Sequence, residues 1–534
     1  RETGKLITTL VFEQASPYQL KFVNNDIYLL AAQLDKTLKL WEVDSKKEVR
    51  NFIGHTDVIH SFDIHPGLPV IASTSWDGKI KIWDMNTGLQ SRRFSDHEGP
   101  TYVARYSNSG SMLCTTGADR TIKVRNTESD YVVTKELKGH SAPVTNLCFT
   151  PDDKHLISAS ENGEVIIWDL ANGKELVNYI TLSQREWMAV NADGHFNATE
   201  GAFQNIVFVK GMESYSADQF FDEFYKPNLV KDVFTNRSGN RLNMLDKMQQ
   251  SPPPEIEILT PKNNQAYDQQ NAEILFKVTD KGGGAKTATL FQNGKAILAK
   301  DLQVKPGRSQ VVEHKFNLVP GVNVIEVSAS SKGNIESHKS RVQVQFGGDL
   351  KSSLYLLAIG INEYQNESLN LNYASADAEG FVDLIRTQAK SLFDKVEVIS
   401  IYDKEATKEN ILQKLDELKG SIRPQDVLYL YYAGHGSMVD NNFYFIPTNN
   451  TKLYSDDKLK KTGIYAGELQ EKLKAIAALK QVVIIDACQS GGGAEILAQR
   501  GATEEKALAQ LSRSTGIHVL AAAGSEHYDT EFTE

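Results

Sequence analysis

The stretch VVIIDACQSGGG, residues 482–493, ends an apolar run in an aspartate, a cysteine and a row of glycines. A short apolar run of this kind, closed by glycines, is typical of a buried strand in a parallel sheet. Catalytic groups in such sheets tend to follow the carboxyl ends of the strands. A cysteine at that place is either a small core residue, which is the usual role of an unpaired thiol, or a nucleophile.

A histidine stands in a similar place 53 residues upstream of Cys488. His435 follows an apolar run at 427–433 and lies between Gly434 and Gly436 in the stretch YYAGHGS. A cysteine needs a neighbouring histidine, or another positive environment, to hold its thiolate. The pair therefore predicts a cysteine nucleophile with a histidine partner, and the two glycines predict that a substrate backbone approaches closely.

Strands and helices alternate throughout the region that carries this pair, residues 350–534. This alternation favours an α/β fold with a parallel sheet wrapped by helices. The predicted strands are LYLLAIGIN (354–362), KVEVISIYD (395–403), DVLYLYYAGHG (426–436) and QVVIIDACQSG (481–491), and the predicted helices include SADAEGFVDLIRTQ and TKENILQKLDELKG.

The motifs YYAGHGS, DACQSGG and GINEY with LNYASADA resemble the large-subunit half of a caspase-type peptidase, in its bacterial or metacaspase-like branch. The resemblance implies a cysteine endopeptidase with a His435–Cys488 dyad. It also implies an oxyanion hole made of the backbone N–H groups of Gly436 and Cys488. Two alternatives stay open, namely a catalytically inert caspase-type fold that serves as an interaction scaffold, and another family of cysteine nucleophiles with the same sheet.

Two aspartates bear on the substrate that this resemblance implies. Caspases that cut after aspartate have glutamine two residues before the cysteine, where this chain has Asp486. Metacaspases, which cut after arginine or lysine, have aspartates at the positions of Asp486 and Asp377. Two carboxylates favour a basic side chain in the pocket, and arginine can bind them through two parallel hydrogen bonds. The alternative role for Asp377 is to cap the helix that follows it.

Two further features of this region carry weaker expectations. The resemblance requires no cofactor, although some metacaspases need calcium, for which Asp456 and Asp457 are the candidate ligands; acidic loop pairs are more often simply solvated. The polar segment 498–516 contains Arg500, Lys506 and Arg513, which are candidate self-cleavage sites if the pocket prefers basic residues.

The region 1–212 repeats itself every 42 or 43 residues, in DKTLKLWE (35–42), DGKIKIWD (77–84), DRTIKVRN (119–126) and NGEVIIWD (162–169). The period, with its GH or DH pairs, resembles the four-stranded blades of a WD40 propeller. We expect part of a propeller, with four blades and a divergent fifth unit at 185–209. Because such propellers close with four to eight blades, and because the sequence starts at Arg1, we expect further blades upstream.

Histidines and tryptophans recur at matching places in these repeats. In WD40 blades such residues share a hydrogen-bond network with an aspartate, which implies one set of His55, Asp77 and Trp83. The resemblance pairs His140 with Trp168 and puts Asn162 in the aspartate position. In the third repeat Arg125 replaces the tryptophan, so its network is an open question. A metal site at these histidines is disfavoured, because none has a cysteine or carboxylate partner at ligand spacing.

The residues between the repeats and the α/β region divide into two parts. Residues 213–254 have apolar side chains at spacings of three and four, which favours a linker of short helices. Residues 255–347 alternate apolar and polar positions and contain Asn293-Gly294, a strong hairpin signal. We expect a β-sandwich there, immunoglobulin-like in architecture but without the cysteine pair of antibody domains.

Composition narrows the partners and the compartment. The net charge of −10 argues against nucleic acid as the main partner, because phosphate binding needs a basic surface. No stretch of about 18 apolar residues occurs, so we expect no membrane partner and a cytoplasmic location. The three cysteines do not form a disulfide framework, and we expect Cys114 and Cys148 to be core residues. The ending EHYDTEFTE leads us to expect a fragment that lacks the small-subunit half.

These observations together predict a multidomain protein with a partial WD40 propeller, an immunoglobulin-like sandwich and a caspase-like α/β domain at 350–534. The predicted partners are a protein substrate with a basic residue before the cleaved bond and an activator, protein or other, that binds the propeller. Such an architecture is expected of a bacterial defence or regulated cell-death system.

Overall fold

The computed structural model describes most of the chain. Contacts between Cα atoms divide it into two compact units, one of residues 1–202 with 229–239 and the other of residues 203–228 with 240–534. In the described part, no helix is both long enough and apolar enough to cross a membrane. The described residues are 16–23, 27–183, 185–199, 201–210, 213–234, 243–439, 442–450, 456–489 and 517–521.

In the described part of the first unit, the repeats form four antiparallel sheets, one for each repeat. The first sheet consists of β1 (Pro17–Val23), β2 (Tyr28–Gln33), β3 (Leu38–Glu42) and β4 (Lys47–Phe52). The second has β5 (Ile59–Ile64), β6 (Val70–Ser75), β7 (Ile80–Asp84) and β8 (Gln90–Phe94). The third has β9 (Thr101–Tyr106), β10 (Met112–Gly117), β11 (Ile122–Asn126) and β12 (Val132–Leu137).

The fourth sheet has six strands rather than four. Its strands are β13 (Val144–Phe149), β14 (His155–Ser160), β15 (Val165–Asp169), β16 (Lys174–Thr181), β17 (Trp187–Val190) and β18 (Phe196–Ala198). The last two strands belong to the segment 185–209, from which we expected a fifth unit. Because β17 pairs with β16 and β18 with β17, residues 187–198 of this segment extend the fourth sheet instead of starting a new one.

A serine links the histidine and the tryptophan in the second sheet. His55 Nδ1 lies 3.0 Å from Asp77 Oδ2, and its Nε2 lies 2.8 Å from Ser73 Oγ, which accepts a hydrogen bond from Trp83 Nε1 at 2.8 Å. The predicted set of His55, Asp77 and Trp83 is confirmed, with Ser73 as the member that the sequence did not indicate. Burial lowers the pKa of His55.

The fourth sheet shows the same arrangement with a different acid. His140 Nδ1 lies 3.1 Å from Glu164 Oε2 and its Nε2 lies 2.6 Å from Ser158 Oγ, to which Trp168 Nε1 donates. The prediction of Asn162 in this role is wrong, because its amide donates to Ser141 Oγ at 2.8 Å. The longer side chain of glutamate reaches the histidine from a position two residues further along the turn that precedes β15.

The third sheet keeps the histidine–aspartate pair without a tryptophan. His97 Nδ1 lies 3.0 Å from Asp119 Oδ2, and its Nε2 lies 3.1 Å from Thr115 Oγ1. The buried guanidinium of Arg125 makes two 2.6 Å hydrogen bonds to Asp96 and lies over the ring of Phe94 at 4.4 Å. Phe94 ends β8 of the second sheet and Asp96 lies in the loop that leads to β9, so the arginine is paired with the segment that joins the second and third sheets.

The two cysteines of this unit differ in exposure. Cys114 is buried, as predicted, and burial raises the pKa of its thiol. Cys148 is exposed, so the prediction that it is a core residue is wrong. Side chains alternate between the two faces of a strand, and Leu147 and Phe149 on either side of Cys148 are the ones that point inward.

Short elements connect the repeats with the next region. They are α1 (Ala202–Asn205), β19 (Val207–Lys210), β20 (Glu213–Ser216), a 3-10 helix (Ala217–Phe220), α2 (Phe221–Phe224), α3 (Leu229–Phe234) and α4 (Met244–Gln250). The pair β19–β20 was not expected from the sequence. In the second unit, Gln219 exchanges hydrogen bonds with the backbone of Glu336, and Glu223 binds Lys247 at 2.8 Å.

Residues 255–346 form two sheets with one apolar core. The first sheet has β21 (Glu255–Thr260), β23 (Asn271–Thr279) and β26 (Ser309–Asn317); the second has β22 (Gln265–Tyr267), β24 (Ala285–Gln292), β25 (Lys295–Asp301), β27 (Gly321–Ser331) and β28 (Ser340–Phe346). The predicted hairpin at Asn293-Gly294 is confirmed, since both residues have positive φ and Gln292 pairs with Lys295. The immunoglobulin-like comparison stays a prediction.

The region after residue 350 is a mixed sheet with helices. Its strands are β29 (Ser353–Gly360), β30 (Lys395–Tyr402), β31 (Val427–Val439), β32 (Asn442–Phe445), β33 (Ile464–Tyr465), β34 (Lys480–Gln489) and β35 (His518–Ala521). Its helices are α5 (Ala374–Gln388), α6 (Lys408–Ser421), α7 (Asp456–Thr462) and α8 (Ala466–Ala475), with 3-10 turns at Glu367–Leu369, Ala389–Ser391 and Asp403–Glu405. The predicted strands and both predicted helices are present.

The parallel part of this sheet runs in the order β30, β29, β31, β34 and β35. The far end of β31 also pairs antiparallel with β32, which pairs with β33. Because the parallel strands point the same way, their carboxyl ends meet at one edge of the sheet. The candidate site lies there.

Candidate active site

Register places the two predicted catalytic residues side by side. In the parallel pair β31–β34, His435 is the partner of Cys488, with Gly434 opposite Ala487 and Gly436 opposite Gln489. Neighbouring strands lie about 4.8 Å apart, so a residue from each reaches the same point at the edge of the sheet. The structure describes the backbone of Cys488 and not its side chain.

The histidine ring is buried and its orientation is fixed. His435 is 4% exposed, and its Nε2 lies 2.7 Å from the carbonyl oxygen of Leu369. A carbonyl oxygen only accepts, so Nε2 carries the hydrogen and Nδ1 is the basic nitrogen of the neutral ring. The hydrogen-bond pattern thus selects one tautomer, in which Nδ1 can take a proton.

The glycines on either side of the histidine face packed aromatic side chains. A Cβ at Gly434 would lie 2.9 Å from the hydroxyl of Tyr364 and 3.1 Å from that of Tyr432, and one at Gly436 would lie 2.4 Å from the ring of Phe443. These distances are shorter than normal contacts, so only glycine fits. We expected the glycines to admit a substrate backbone, and the structure gives them a packing role.

The two predicted pocket residues, Asp486 and Asp377, both lie near the hydroxyl of Tyr431. Tyr431 donates to Asp486 Oδ2 at 3.5 Å, and its ring stacks on Phe381 with centroids 4.8 Å apart. Burial, together with the negative charges of Asp486 and Asp377, raises the pKa of Tyr431. Both carboxylates therefore lie near enough to the Tyr431 hydroxyl to affect it.

Asp377 is exposed in the first turn of α5. The N-cap of that helix is Tyr373, which makes no capping hydrogen bond through its side chain, so Asp377 does not occupy the capping position. A carboxylate in the first turn is favoured by the helix dipole all the same.

Other predicted residues cannot be placed around this site. Arg500, Lys506 and Arg513 lie outside the described residues. The backbone of Asp456 and Asp457 begins α7, but their side chains are not described. Over the described ranges, no three histidine, cysteine or carboxylate residues are grouped closely enough to hold a metal ion.

Several residues that hold the site were missed in the sequence. Tyr364 accepts a hydrogen bond from the backbone N–H of His435 at 2.9 Å, and Tyr432 donates to the His435 carbonyl at 2.8 Å. Leu369 supplies the carbonyl that binds the imidazole. Tyr364 and Tyr432 stand in the quoted motifs GINEY and YYAGHGS, but nothing in those letters indicates hydroxyls that bind the histidine backbone.

Comparison with known families agrees with this geometry. Residues 354–528 match the model of the caspase domain, and residues 46–84, 88–126 and 131–169 match that of the WD domain, G-beta repeat. The chain carries a caspase domain after WD40 repeats. The strands β31 and β34 with His435 and Cys488 lie inside the residues matched to the caspase domain.

Curated relatives are similar over limited parts of their length. The chain is 26% identical over 181 residues to human apoptotic protease-activating factor 1, covering 33% of this chain and 14% of that protein. It is 34% identical over 121 residues to nuclear distribution protein nudF 1 of Talaromyces marneffei, covering 22% of this chain and 26% of that protein. It is 26% identical over 207 residues to the small ribosomal subunit protein RACK1 of Caenorhabditis elegans, covering 29% of this chain and 63% of that protein.

Proposed function

We propose that the protein is a cysteine endopeptidase that cleaves proteins after arginine or lysine and is regulated through its WD40 region. The observation that carries this proposal is the register of β31 and β34, which pairs His435 with Cys488 at the carboxyl edge of the sheet. A histidine with a basic Nδ1 beside a cysteine is the arrangement that nucleophilic catalysis needs.

The proposed reaction has two steps. Nδ1 of His435 takes the proton of the Cys488 thiol, and the sulfur attacks the scissile carbonyl carbon. The oxyanion that forms is bound by the backbone N–H groups of Gly436 and Cys488. The imidazolium then gives its proton to the leaving amine, leaving a thioester. Water, deprotonated by His435, hydrolyses the thioester, releases the carboxylic acid and restores the thiol.

The preference for a basic residue rests on the two carboxylates near Tyr431. Asp486 bonds to its hydroxyl, and Asp377 acts on the same group through its charge. A guanidinium beside two carboxylates gains charge-assisted hydrogen bonds, whereas an aspartate side chain is repelled. No cofactor is part of this proposal, and calcium at Asp456 and Asp457 remains a secondary hypothesis, as does self-cleavage at Arg500, Lys506 or Arg513.

The WD40 region is proposed to bind the activating partner. One relative of this chain has a name that describes a factor that activates an apoptotic protease, and RACK1 also matches part of it. From the order of the predicted propeller and caspase-like domain, we also propose a role in a bacterial defence or regulated cell-death system, in the cytoplasm. The alternative function is a scaffold whose caspase domain is inert.

Fluorogenic peptides that end in Arg, Lys or Asp test the enzyme and its specificity together. We expect the full chain to release the fluorophore from the Arg and Lys peptides, and Cys488→Ala and His435→Ala to lose at least about a thousandfold in kcat/KM. Asp486→Asn is expected to lower kcat/KM for the Arg peptide by about tenfold or more. Turnover of the Asp peptide alone would refute the predicted specificity.

Alkylation separates the peptidase from the inert scaffold. Iodoacetamide followed by mass spectrometry should modify Cys488 in wild type faster than in His435→Ala, because the histidine promotes the thiolate. Cys148 is exposed and will react as well, so the experiment uses a Cys148→Ser background, while buried Cys114 serves as the internal unreactive thiol. Equal rates with and without His435, and no hydrolysis of any peptide, would favour the scaffold.

A further inference from the structure

One short segment supplies two of the contacts that hold the catalytic histidine. The 361–371 segment, INEYQNESLNL, connects β29 with α5. It provides the Leu369 carbonyl that binds Nε2 and the Tyr364 ring, whose centroid lies 5.0 Å from that of the imidazole. The Tyr364 hydroxyl also accepts from the backbone N–H of His435. The ring plane and the backbone of the histidine are thus both set by this segment.

The tyrosine hydroxyls occupy the space that Gly434 leaves open. Tyr364 and Tyr432 are 4% and 2% exposed, and both hydroxyl oxygens lie within about 3 Å of the place where a Gly434 Cβ would be. Tyr432 donates to the His435 carbonyl and accepts from the Ile446 N–H at 3.1 Å. Burial raises the pKa of both tyrosines, so the hydroxyls stay neutral. The backbone of His435 is therefore bound on its N–H side by Tyr364 and on its C=O side by Tyr432.

The segment is itself fixed from outside. The carboxylate of Asp403 accepts from the N–H of Asn362 at 2.7 Å and of Glu363 at 2.9 Å. Thr448 donates its hydroxyl to the Glu363 carbonyl at 2.6 Å. Inside the segment, the Asn370 side chain accepts from the Tyr364 N–H at 2.8 Å. The N–H of Gln365 donates to the Thr448 carbonyl at 2.8 Å, so Tyr364 is held by contacts before and after it in the chain, as a residue that orients another must be.

We propose that Tyr364 is a positioning residue for His435, which keeps the imidazole on the Leu369 carbonyl so that Nδ1 is the nitrogen that faces the chemistry. Its catalytic consequence rests on the proposed peptidase function. Without the tyrosine, the backbone N–H of His435 is buried and loses the hydroxyl that accepts its hydrogen bond. The imidazole ring also loses the aromatic ring against which it packs. The ring then leaves Leu369 for part of the time, and the two neutral tautomers mix.

Three variants of the full chain test the role through kinetics. Tyr364→Phe removes only the hydroxyl and should lower kcat on the Arg peptide by about tenfold, and Tyr364→Leu, which also removes the ring, by about a hundredfold, both with KM within about twofold. Tyr355→Phe is the matched control, because Tyr355 is buried in the same apolar core and its hydroxyl bonds to the Ser421 carbonyl at 3.5 Å. We expect wild-type kinetics from it. Equal losses in Tyr364→Phe and Tyr355→Phe would overturn the proposal.

A measurement on the histidine itself separates this proposal from the proposed function. The ring nitrogens of His435 are observed by 15N NMR of histidine-labelled protein, with His435→Gln to identify their signals. We expect a protonated Nε2 and an unprotonated Nδ1 in wild type and in Tyr355→Phe, and averaged shifts in Tyr364→Leu. Unchanged shifts in Tyr364→Leu would refute the positioning role. If wild type hydrolyses no peptide but the 15N shifts of His435 change in Tyr364→Leu, the proposed peptidase function is wrong and the positioning role of Tyr364 is supported.

Discussion

At the residue scale, the glycines around His435 show how packing restricts a motif. Gly434 needs no unusual backbone conformation; it is required because two hydroxyls occupy the place of its side chain. The same hydroxyls bind the N–H and C=O groups of the histidine. A substitution here therefore disturbs the histidine through its supports, without touching the imidazole.

We expect Gly434→Ala to lower the free energy of unfolding by about 1–3 kcal/mol, because a methyl group is forced into a filled core. The same variant should lose most peptide hydrolysis. Gly380→Ala is the control, since a Cβ at this position in α5 meets no atom within 4 Å, and alanine favours helices by about 1 kcal/mol. Denaturant unfolding and peptide assays measure both. If Gly434→Ala has the stability and the peptide hydrolysis of wild type, the core around the two hydroxyls accepts a methyl group and the prediction is wrong.

At the element scale, the second and fourth repeat sheets are each tied together by a buried polar relay. In the second sheet Asp77 accepts from Nδ1 of His55, so Nε2 is the acceptor for the Ser73 hydroxyl, which in turn accepts from Trp83. The relay connects the loop before β5 with β6 and β7. The fourth sheet repeats it through Glu164, and the third replaces its tryptophan with a paired arginine.

We expect Ser73→Ala to destabilise the first unit by about 1–3 kcal/mol, because Trp83 loses its acceptor and His55 its donor inside the sheet. Ser91→Ala changes an exposed residue of β8 in the same sheet, whose hydroxyl donates to the Ile82 carbonyl at 3.1 Å outside the relay, and should change stability by less than about 0.5 kcal/mol. Thermal unfolding followed by tryptophan fluorescence compares the two. Similar melting temperatures for both variants would mean that the relay adds nothing to stability.

At the scale of the whole molecule, one buried lysine joins two regions of the second unit. Lys295, 1% exposed, comes from the hairpin β24–β25 and donates to the carbonyls of Ile476 and Ala478, the latter at 2.8 Å. These carbonyls follow the end of α8, where a helix attracts positive charge. Gln481 donates to the same two carbonyls at 3.2 and 3.1 Å. The two-sheet region and the caspase domain are therefore packed together here.

Burial lowers the pKa of Lys295 from 10.5 to about 7. Between these pH values the unfolded chain binds a proton that the folded chain does not, so the free energy of unfolding rises with pH, by at most about 1.4 kcal/mol per pH unit. Lys295→Met should remove this rise and be the more stable protein at pH 6.5, since Gln481 still serves the carbonyls.

Melting temperatures from pH 6.5 to 9.5 compare wild type, Lys295→Met and, as control, Lys339→Met, which changes an exposed lysine above Phe291. We expect the melting temperature of wild type to approach that of Lys295→Met as the pH rises, because the buried lysine of the folded protein loses its proton in this range. A difference that is constant across this range would contradict the predicted titration.

Several features of the fold and of the candidate site could be predicted without coordinates, because they depend only on the order of residues along the chain. The 42- to 43-residue period, the alternation of strands and helices, the Asn293-Gly294 turn and the spacing of His435 and Cys488 are all visible in the order of residues along the chain. The contacts between distant groups, in contrast, became known from the three-dimensional structure. It supplied Leu369 and Tyr364 for His435, Glu164 in place of Asn162, and Lys295 for the end of α8. These partners are set by strand register and by the paths of loops across the sheets, because a hydrogen bond depends on distance in space and not on distance along the chain.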